Sequence, residues 1–150
     1  MRDNYAYAYD DACDNQSNTL GRVLLIEDNK SDVQLIRRAL QETHQPPLLL
    51  DTPRMIDALL LLDHAIFDLV LLDLNLVDSN GSASVAAVRA AAPGTPIIVY
   101  SGAQTNRLQE EALICGAARF LTKGHESLGE LRCAIEQMLH RSTFTAQELL

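Results

Sequence analysis

Five chemically capable residues in this sequence stand directly behind short apolar runs. Glu27 and Asp28 follow Val23-Leu24-Leu25-Ile26, and Asp73 follows Leu69-Val70-Leu71-Leu72. Ser101 follows Ile97-Ile98-Val99-Tyr100, and Lys123 follows Arg119-Phe120-Leu121-Thr122. Three carboxylates drawn into one crevice repel one another strongly where the dielectric is low. A divalent cation is the simplest remedy. One or two carboxylates, a backbone carbonyl and several waters make the hard-oxygen set that Mg²⁺ takes. Lys123 adds a compact positive charge for a phosphate oxygen, and Ser101 adds a hydroxyl donor. Such a site is repulsive when empty and suited to a phosphoryl group once Mg²⁺ is bound. A carboxylate at its centre can attack phosphorus and form an aspartyl phosphate.

These residues meet only if the elements behind them bring them together. The apolar runs read as buried strands, with Leu48-Leu49-Leu50 as a second strand after the Pro46-Pro47 break. Between them lie segments of helical period. Ser31 to Thr43 carries Val33, Ile36, Ala39 and Leu40 at helical spacing, with Ser31 as the expected N-cap. Thr52-Pro53 reads as an N-cap followed by Pro at the first helical position, opening a helix to about Asp63. Gly81-Ser82 leads into an Ala-rich helix that ends near Ala92, before Pro93-Gly94. Thr105 to Cys115 is helical and stops at Gly116. Ser127 and Glu130 form a capping-box pattern before Leu128, Leu131, Ile135, Met138 and Leu139.

Five strands alternating with five helices predict an α/β fold. Near-continuous apolar strands fit a parallel sheet covered on both faces, doubly wound, in the order 2-1-3-4-5. In such a sheet, function sits at the C-terminal strand ends. The first, third, fourth and fifth strands are then neighbours, and their four loops converge. The absence of any glycine between Gly21 and Gly81 excludes a glycine-rich phosphate loop after the first strand, and two acids there would repel a pyrophosphate. Rossmann-type and flavodoxin-type cofactor binding are therefore set aside.

The chain has 150 residues, of which 47% are hydrophobic, enough for one domain with one core. The net charge of −8 disfavours nucleic acid and anionic membrane surfaces, and suits a cation. Cys13, Cys115 and Cys133 are odd in number and widely spaced, which argues against disulfides or zinc and for reduced thiols in the cytoplasm. Cys115 and Cys133 read as small core residues on helices. His44, His64, His125 and His140 share no spacing and read as non-functional. No secretory signal or membrane-spanning run is visible. Residues 1–21, with Tyr5, Tyr7 and Tyr9 followed by Asp10, Asp11 and Asp14, read as a disordered tail, and residues 142–150 as a second, short tail.

Residues 22–141 resemble the receiver domain of two-component response regulators, of the single-domain, chemotaxis-regulator-like kind with a flavodoxin-like fold. The resemblance rests on Ile26-Glu27-Asp28-Asn29, on Leu71-Leu72-Asp73-Leu74 with Asp78 and Gly81 following, on Ser101-Gly102, and on Gly116-Ala117-Ala118-Arg119-Phe120-Leu121-Thr122-Lys123. It implies that Asp73 is the phosphoacceptor, taking the group from a histidine kinase or a histidine phosphotransfer protein. It implies that Asp28, Asp73 and the Asn75 backbone carbonyl ligate Mg²⁺, with Glu27 acting mostly through water. Ser101 and Phe120 would form the coupled switch, and Lys123 would pair with the phosphoryl oxygens. The output surface would be the face of the fourth helix, fifth strand and fifth helix, through which a homodimer could also form. Only nine residues follow 141, so the expected output is binding to a downstream protein, or relay of the group to another histidine.

Several positions depart from the family pattern. Val77 and Gly124 stand where proline is common, so the loop after Asp73 is expected to be looser and Lys123 to be placed differently. A cis bond before Gly124 would cost about 3 kcal/mol. Asn75 and Ala103 occupy positions expected to tune the lifetime of the phosphoryl group. Two other functions share some of these residues. A pseudo-receiver would dock partners without taking phosphate. A haloacid-dehalogenase-type phosphatase would use Asp73-Leu74-Asn75-Leu76-Val77 as its nucleophile motif, but Asn75 cannot serve as that motif's second acid.

Overall fold

The computed structural model describes residues 21–102, 105–124 and 127–148, with backbone alone for residues 127 and 141–148. Its elements in chain order are β1 (Arg22–Ile26), α1 (Lys30–Gln41), β2 (Leu48–Thr52), α2 (Met55–His64) and β3 (Leu69–Leu72), then α3 (Ser82–Ala91), β4 (Ile97–Ser101), α4 (Asn106–Ile114), β5 (Arg119–Thr122) and α5 (Ser127–Glu148). The strands form one parallel sheet in the order β2-β1-β3-β4-β5, the expected doubly wound topology. Among the described residues no helix is long and apolar enough to cross a membrane.

Strand periodicity sends alternate side chains to two cores. Leu24, Ile26, Val70, Leu72, Ile97 and Val99 face α2, α3 and α4, where Met55, Ala58, Val85, Val88 and Ala112 meet them. Val23, Leu25, Leu69, Leu71, Ile98 and Tyr100 face the opposite way, onto Ile36 and Leu40 of α1 and Leu131, Ile135 and Leu139 of α5. Each large side chain sealed in this way contributes about 1.5–3 kcal/mol before the entropy of ordering is counted. The sheet between the two cores gives the strand ends a rigid base.

The register aligns those ends. Ile26 pairs with both Thr52 and Leu72, Leu72 pairs with Val99, and Ser101 pairs with Thr122. The edge strand β2 is less covered: Leu48 and Leu50 face solvent. On its other face Arg37 of α1 forms an ion pair with Asp51.

Several local details differ from the sequence expectations. Asn29, not Ser31, caps α1: its side-chain oxygen accepts from the amides of Ser31 and Asp32. Thr52 is the buried last residue of β2, and α2 begins at Met55. Strand pairing with β1 holds Thr52 in the sheet and overrides the local capping signal. α5 continues through Glu148, where a tail from 142 was expected. No glycine or proline occurs in 141–148 to stop it. Cys133 is exposed on α5, and Cys115 is half-buried at the end of α4. The Tyr5, Tyr7 and Tyr9 segment, Cys13, Ala103, His125 and the Ser127 side chain lie outside the described residues.

Arg89 gives the lower edge of the fold a strut that the sequence did not announce. Its guanidinium donates to the carbonyls of Pro93, Thr95 and Gly116 at 2.9, 2.8 and 2.7 Å. Gly116 has φ +116°, and a Cβ there would lie 2.8 Å from Arg89 Nε. Glycine is therefore required twice over at that turn.

Candidate functional site: an acidic cleft at the strand ends

Backbone hydrogen bonds carry the sheet one residue past its apolar runs. The Glu27 amide donates to Thr52 O, the Asp73 amide to Ile26 O, and the Lys123 amide to Ser101 O, each at 3.0 Å. The ladder thus ends on the residues that the sequence singled out. Glu27, Asp73 and Ser101 are buried, at 2%, 5% and 0% exposure. Buried ionisable groups are rare unless they are paired, so their partners decide what the site can do.

Asp73 stands at the centre. Its Oδ1 accepts from Ser101 Oγ at 2.9 Å and from the Asn75 amide at 3.2 Å. Its Oδ2 lies 3.4 Å from Lys123 Nζ. Lys123 is held more closely by Glu27 Oε2 at 2.7 Å and by Asp32 Oδ2 at 2.9 Å. The other Glu27 oxygen accepts from the Asn29 amide at 3.1 Å. Burial pushes the Glu27 carboxyl up to about 7, against the lowering pull of Lys123 and the Asn29 amide. Burial alone would lower the Lys123 ammonium, but hydrogen bonds to Glu27 and Asp32 and the charge of Asp73 carry it above its ordinary value. The pair is best described as a buried ion pair with every donor of the ammonium engaged.

Carboxylate oxygens of Glu27, Asp28 and Asp73 lie within 4.8 Å of one another. Three hard oxygen donors at that spacing suit a hard divalent cation. Asp28 stands more open than the other two, at the mouth of a cleft of about 680 Å³ that also reaches Asn75 and Lys123. Glu27 is also tied to Lys123, a contact that the sequence did not announce.

The loop after Asp73, which carries Val77, is tied at several points. The Leu76 amide donates to Ser79 O at 3.1 Å and the Gly81 amide to Leu74 O at 3.0 Å. Asn75 and Asn80 form an isolated antiparallel bridge. Val77 itself is exposed. Asp78 reaches out of the loop to α2, accepting from the Met55 and Ile56 amides at 2.9 and 3.0 Å. These bonds hold the Asp78 carboxyl below its ordinary value. They also supply the cap that Arg54 does not provide. Phe120, on β5, is half-buried and packs against the core beneath α4. The bond between Lys123 and Gly124 is trans.

Of the residues that the sequence singled out, Glu27, Asp28, Asp73, Asn75 and Lys123 line one cleft, and Ser101 lies buried behind it against Asp73. Sequence reasoning missed Asp32 and the capping role of Asp78. Asp32 could have been found as a further acid in the first turn of α1, close behind the Glu27-Asp28 pair that ends β1.

Comparison with known proteins agrees with this architecture. The family model described as the response regulator receiver domain matches residues 23–136. The chain is 31% identical over 130 residues to the cell cycle transcriptional regulator CtrA of Caulobacter vibrioides, covering 86% of this chain and 54% of that protein. It is 25% identical over 130 residues to the glycerol metabolism activator of Pseudomonas putida, covering 86% and 58%. The chain therefore spans little more than half the length of these relatives. The signal receiver domain of a LuxO repressor protein from Vibrio parahaemolyticus superimposes with a TM-score of 0.75 at 23% identity, over 85% of this chain and 95% of that one.

Proposed function

The chain belongs to the response regulator receiver domain family of two-component systems, and we propose that Asp73 is its phosphoacceptor, receiving the group from a phosphohistidine of a kinase or phosphotransfer protein in a Mg²⁺-dependent reaction. The observation that carries this reading is the setting of Asp73: a buried carboxylate with Ser101 Oγ at 2.9 Å and Lys123 Nζ at 3.4 Å. Oδ1 already accepts two hydrogen bonds, whereas Oδ2 meets only the long contact to Lys123. Oδ2 is the freer nucleophile. It attacks phosphorus, the P–N bond to the donor imidazole breaks, and that nitrogen keeps the electron pair and takes up a proton.

Glu27, Asp28 and Asp73 would hold the cation, with the Asn75 carbonyl as a further oxygen. Mg²⁺ there supplies charge neutralisation for the incoming phosphoryl oxygens. The rest falls to this chain's own groups. Lys123 turns its ammonium toward the new phosphoryl oxygens. Ser101 leaves Oδ1 and donates to the same group. The half-buried ring of Phe120 lies on the strand beside Ser101 and can fill the space that the hydroxyl vacates. This would carry the change to the surface of α4, β5 and α5.

The output is binding to a protein partner through that face, or formation of a homodimer there, in the cytoplasm. The net charge of −8 over the whole chain opposes direct contact of this chain with nucleic acid. Two relatives are named as a transcriptional regulator and a metabolic activator, and both are longer than this chain.

Incubation with acetyl phosphate tests the reading. One phosphoryl group per chain is expected, absent in Asp73→Asn and absent in EDTA. Label retained in Asp73→Asn would identify another acceptor. Many turnovers of a phosphate ester would make the chain a phosphatase. A chain that takes no label would be a docking module.

A further inference from the structure

Glu27, Asp28 and Asp73 form the one close carboxylate triad among the described residues, and Asp32 is not part of it. Yet Asp32 Oδ2 lies 2.9 Å from Lys123 Nζ, nearer than the acceptor Asp73 at 3.4 Å. The ammonium has three N–H bonds, and the three carboxylates use all of them. A cation taking Glu27 and Asp73 removes two of these partners and repels the ammonium. Asp32 is then the acid left to hold it.

The surroundings of Lys123 make that hold consequential. Next to the main cleft, sharing Asp32 and Lys123 with it, lies a second hollow of about 340 Å³, bordered also by Leu35, Ile36, Tyr100 and Leu128. The lysine stem is flexible, and Gly124 brings no ring to stiffen the chain behind it. An ammonium released by Glu27 and Asp73 can therefore swing away from the acceptor into solvent while its stem drops into this hollow. Asp32 sits in the first turn of α1, and the Asn29 cap fixes its amide at 3.2 Å. Its carboxylate thus projects from a fixed point on the opposite wall.

We propose that Asp32 is the positioning residue of Lys123: it keeps the ammonium at the cleft when the other carboxylates are committed to a cation, leaving two N–H bonds for the phosphoryl oxygens. This inference rests on the phosphoacceptor reading of Asp73 and divides the acids of the site between two tasks. Three hold the metal, and one holds the lysine.

The test compares the parent chain with Asp32→Ala, Asp32→Asn and Asp32→Glu. A partly exposed ion pair is worth up to about 1 kcal/mol, so Asp32→Ala should label from acetyl phosphate roughly fivefold more slowly at saturating Mg²⁺. Its Mg²⁺ affinity, measured by titration calorimetry, should change by less than that. Asp32→Glu should recover part of the rate. Asp32→Asn keeps the side chain's shape without its charge and should remain slow. A second readout does not depend on phosphorylation. In the Mg²⁺-loaded parent the two Lys123 ε-methylene protons should give distinct NMR resonances, as in a fixed side chain, and in loaded Asp32→Ala they should merge. Parent-rate labelling in Asp32→Ala, or distinct resonances retained there, overturns the inference. A parent chain that takes no label defeats the phosphoacceptor reading instead, and the resonances still decide the placement of Lys123.

Discussion

Lys123 Nζ stands 2.7 Å from Glu27 Oε2, closer than to either aspartate that it touches. Glu27 is 1% exposed at its side chain, so this contact, with the Asn29 amide on the other oxygen, is what supports a charge there. Lys123→Met should cost roughly 2–4 kcal/mol of stability at pH 8, because a buried carboxylate and its acidic neighbours lose their counterion. Burial already raises the Glu27 carboxyl to about 7. A carboxyl raised on folding makes the folded state bind a proton that the unfolded chain does not, so the deficit should shrink as the pH falls from 8 toward 5. Mg²⁺ should stabilise the variant more than the parent. Thermal unfolding with and without Mg²⁺ at both pH values measures this, and equal Mg²⁺ shifts in the two chains would contradict it.

Asp78 ties the loop carrying Asp73 to the first turn of α2 through two amides. Asp78→Ala should lower the unfolding midpoint at pH 7. The folded-state pKa of Asp78 lies below its ordinary value, so its contribution is present above about pH 4 and is lost as the pH falls through the depressed value. The difference between parent and variant should therefore be steady from pH 7 to pH 5 and shrink in stronger acid. A difference that grows on acidification would rule out the cap as its source.

Arg89 spans carbonyls from Pro93, Thr95 and Gly116, linking the end of α3 to the turn before β5. Arg89→Met should cost about 2–3 kcal/mol in urea unfolding, since three carbonyls lose a charged donor. Arg89→Lys should recover little, because an ammonium cannot reproduce the planar fork. Acetyl phosphate labelling should be unaffected in both variants while they stay folded. A full rescue by lysine would show that charge alone matters there.

If phosphorylation changes the face of α4, β5 and α5, the mass in solution should respond. Leu113 and Ile114 are exposed at the end of α4 and supply apolar area on that side. Light scattering should report a larger mass with acetyl phosphate and Mg²⁺ than without, and no change in Asp73→Asn. An unchanged mass in the phosphorylated parent excludes the homodimer and leaves binding to another protein.

The strands and the residues behind them were legible because a buried parallel strand writes itself as a continuous apolar run. A polar residue directly after such a run has few reasons to be there other than function. Glu27, Asp73, Ser101 and Lys123 were read in this way. Helix starts were less legible, because several residues competed for each cap. Asn29 prevailed over Ser31, and sheet pairing took Thr52 away from α2. Asp78 acts on amides 22 and 23 residues away, and Arg89 reaches Gly116, 27 residues away, which no local pattern encodes. Asp32 was hidden for the same reason, since its partner Lys123 is 91 residues away. The end of α5 was placed too early because no stop signal marks it.

The rim of the sheet at β2 carries a consequence for crowded conditions. An outer strand with two solvent-facing leucines is a template onto which another extended chain could add. Asp51, next to the end of that strand, interrupts the template, with its charge held in place by Arg37. A second copy stacking in register would bring Asp51 against Asp51 across about 4.8 Å, and would have to break both ion pairs or seal them from water. The charge at Asp51 thus disfavours edge-to-edge stacking of copies despite the apolar margin beside it.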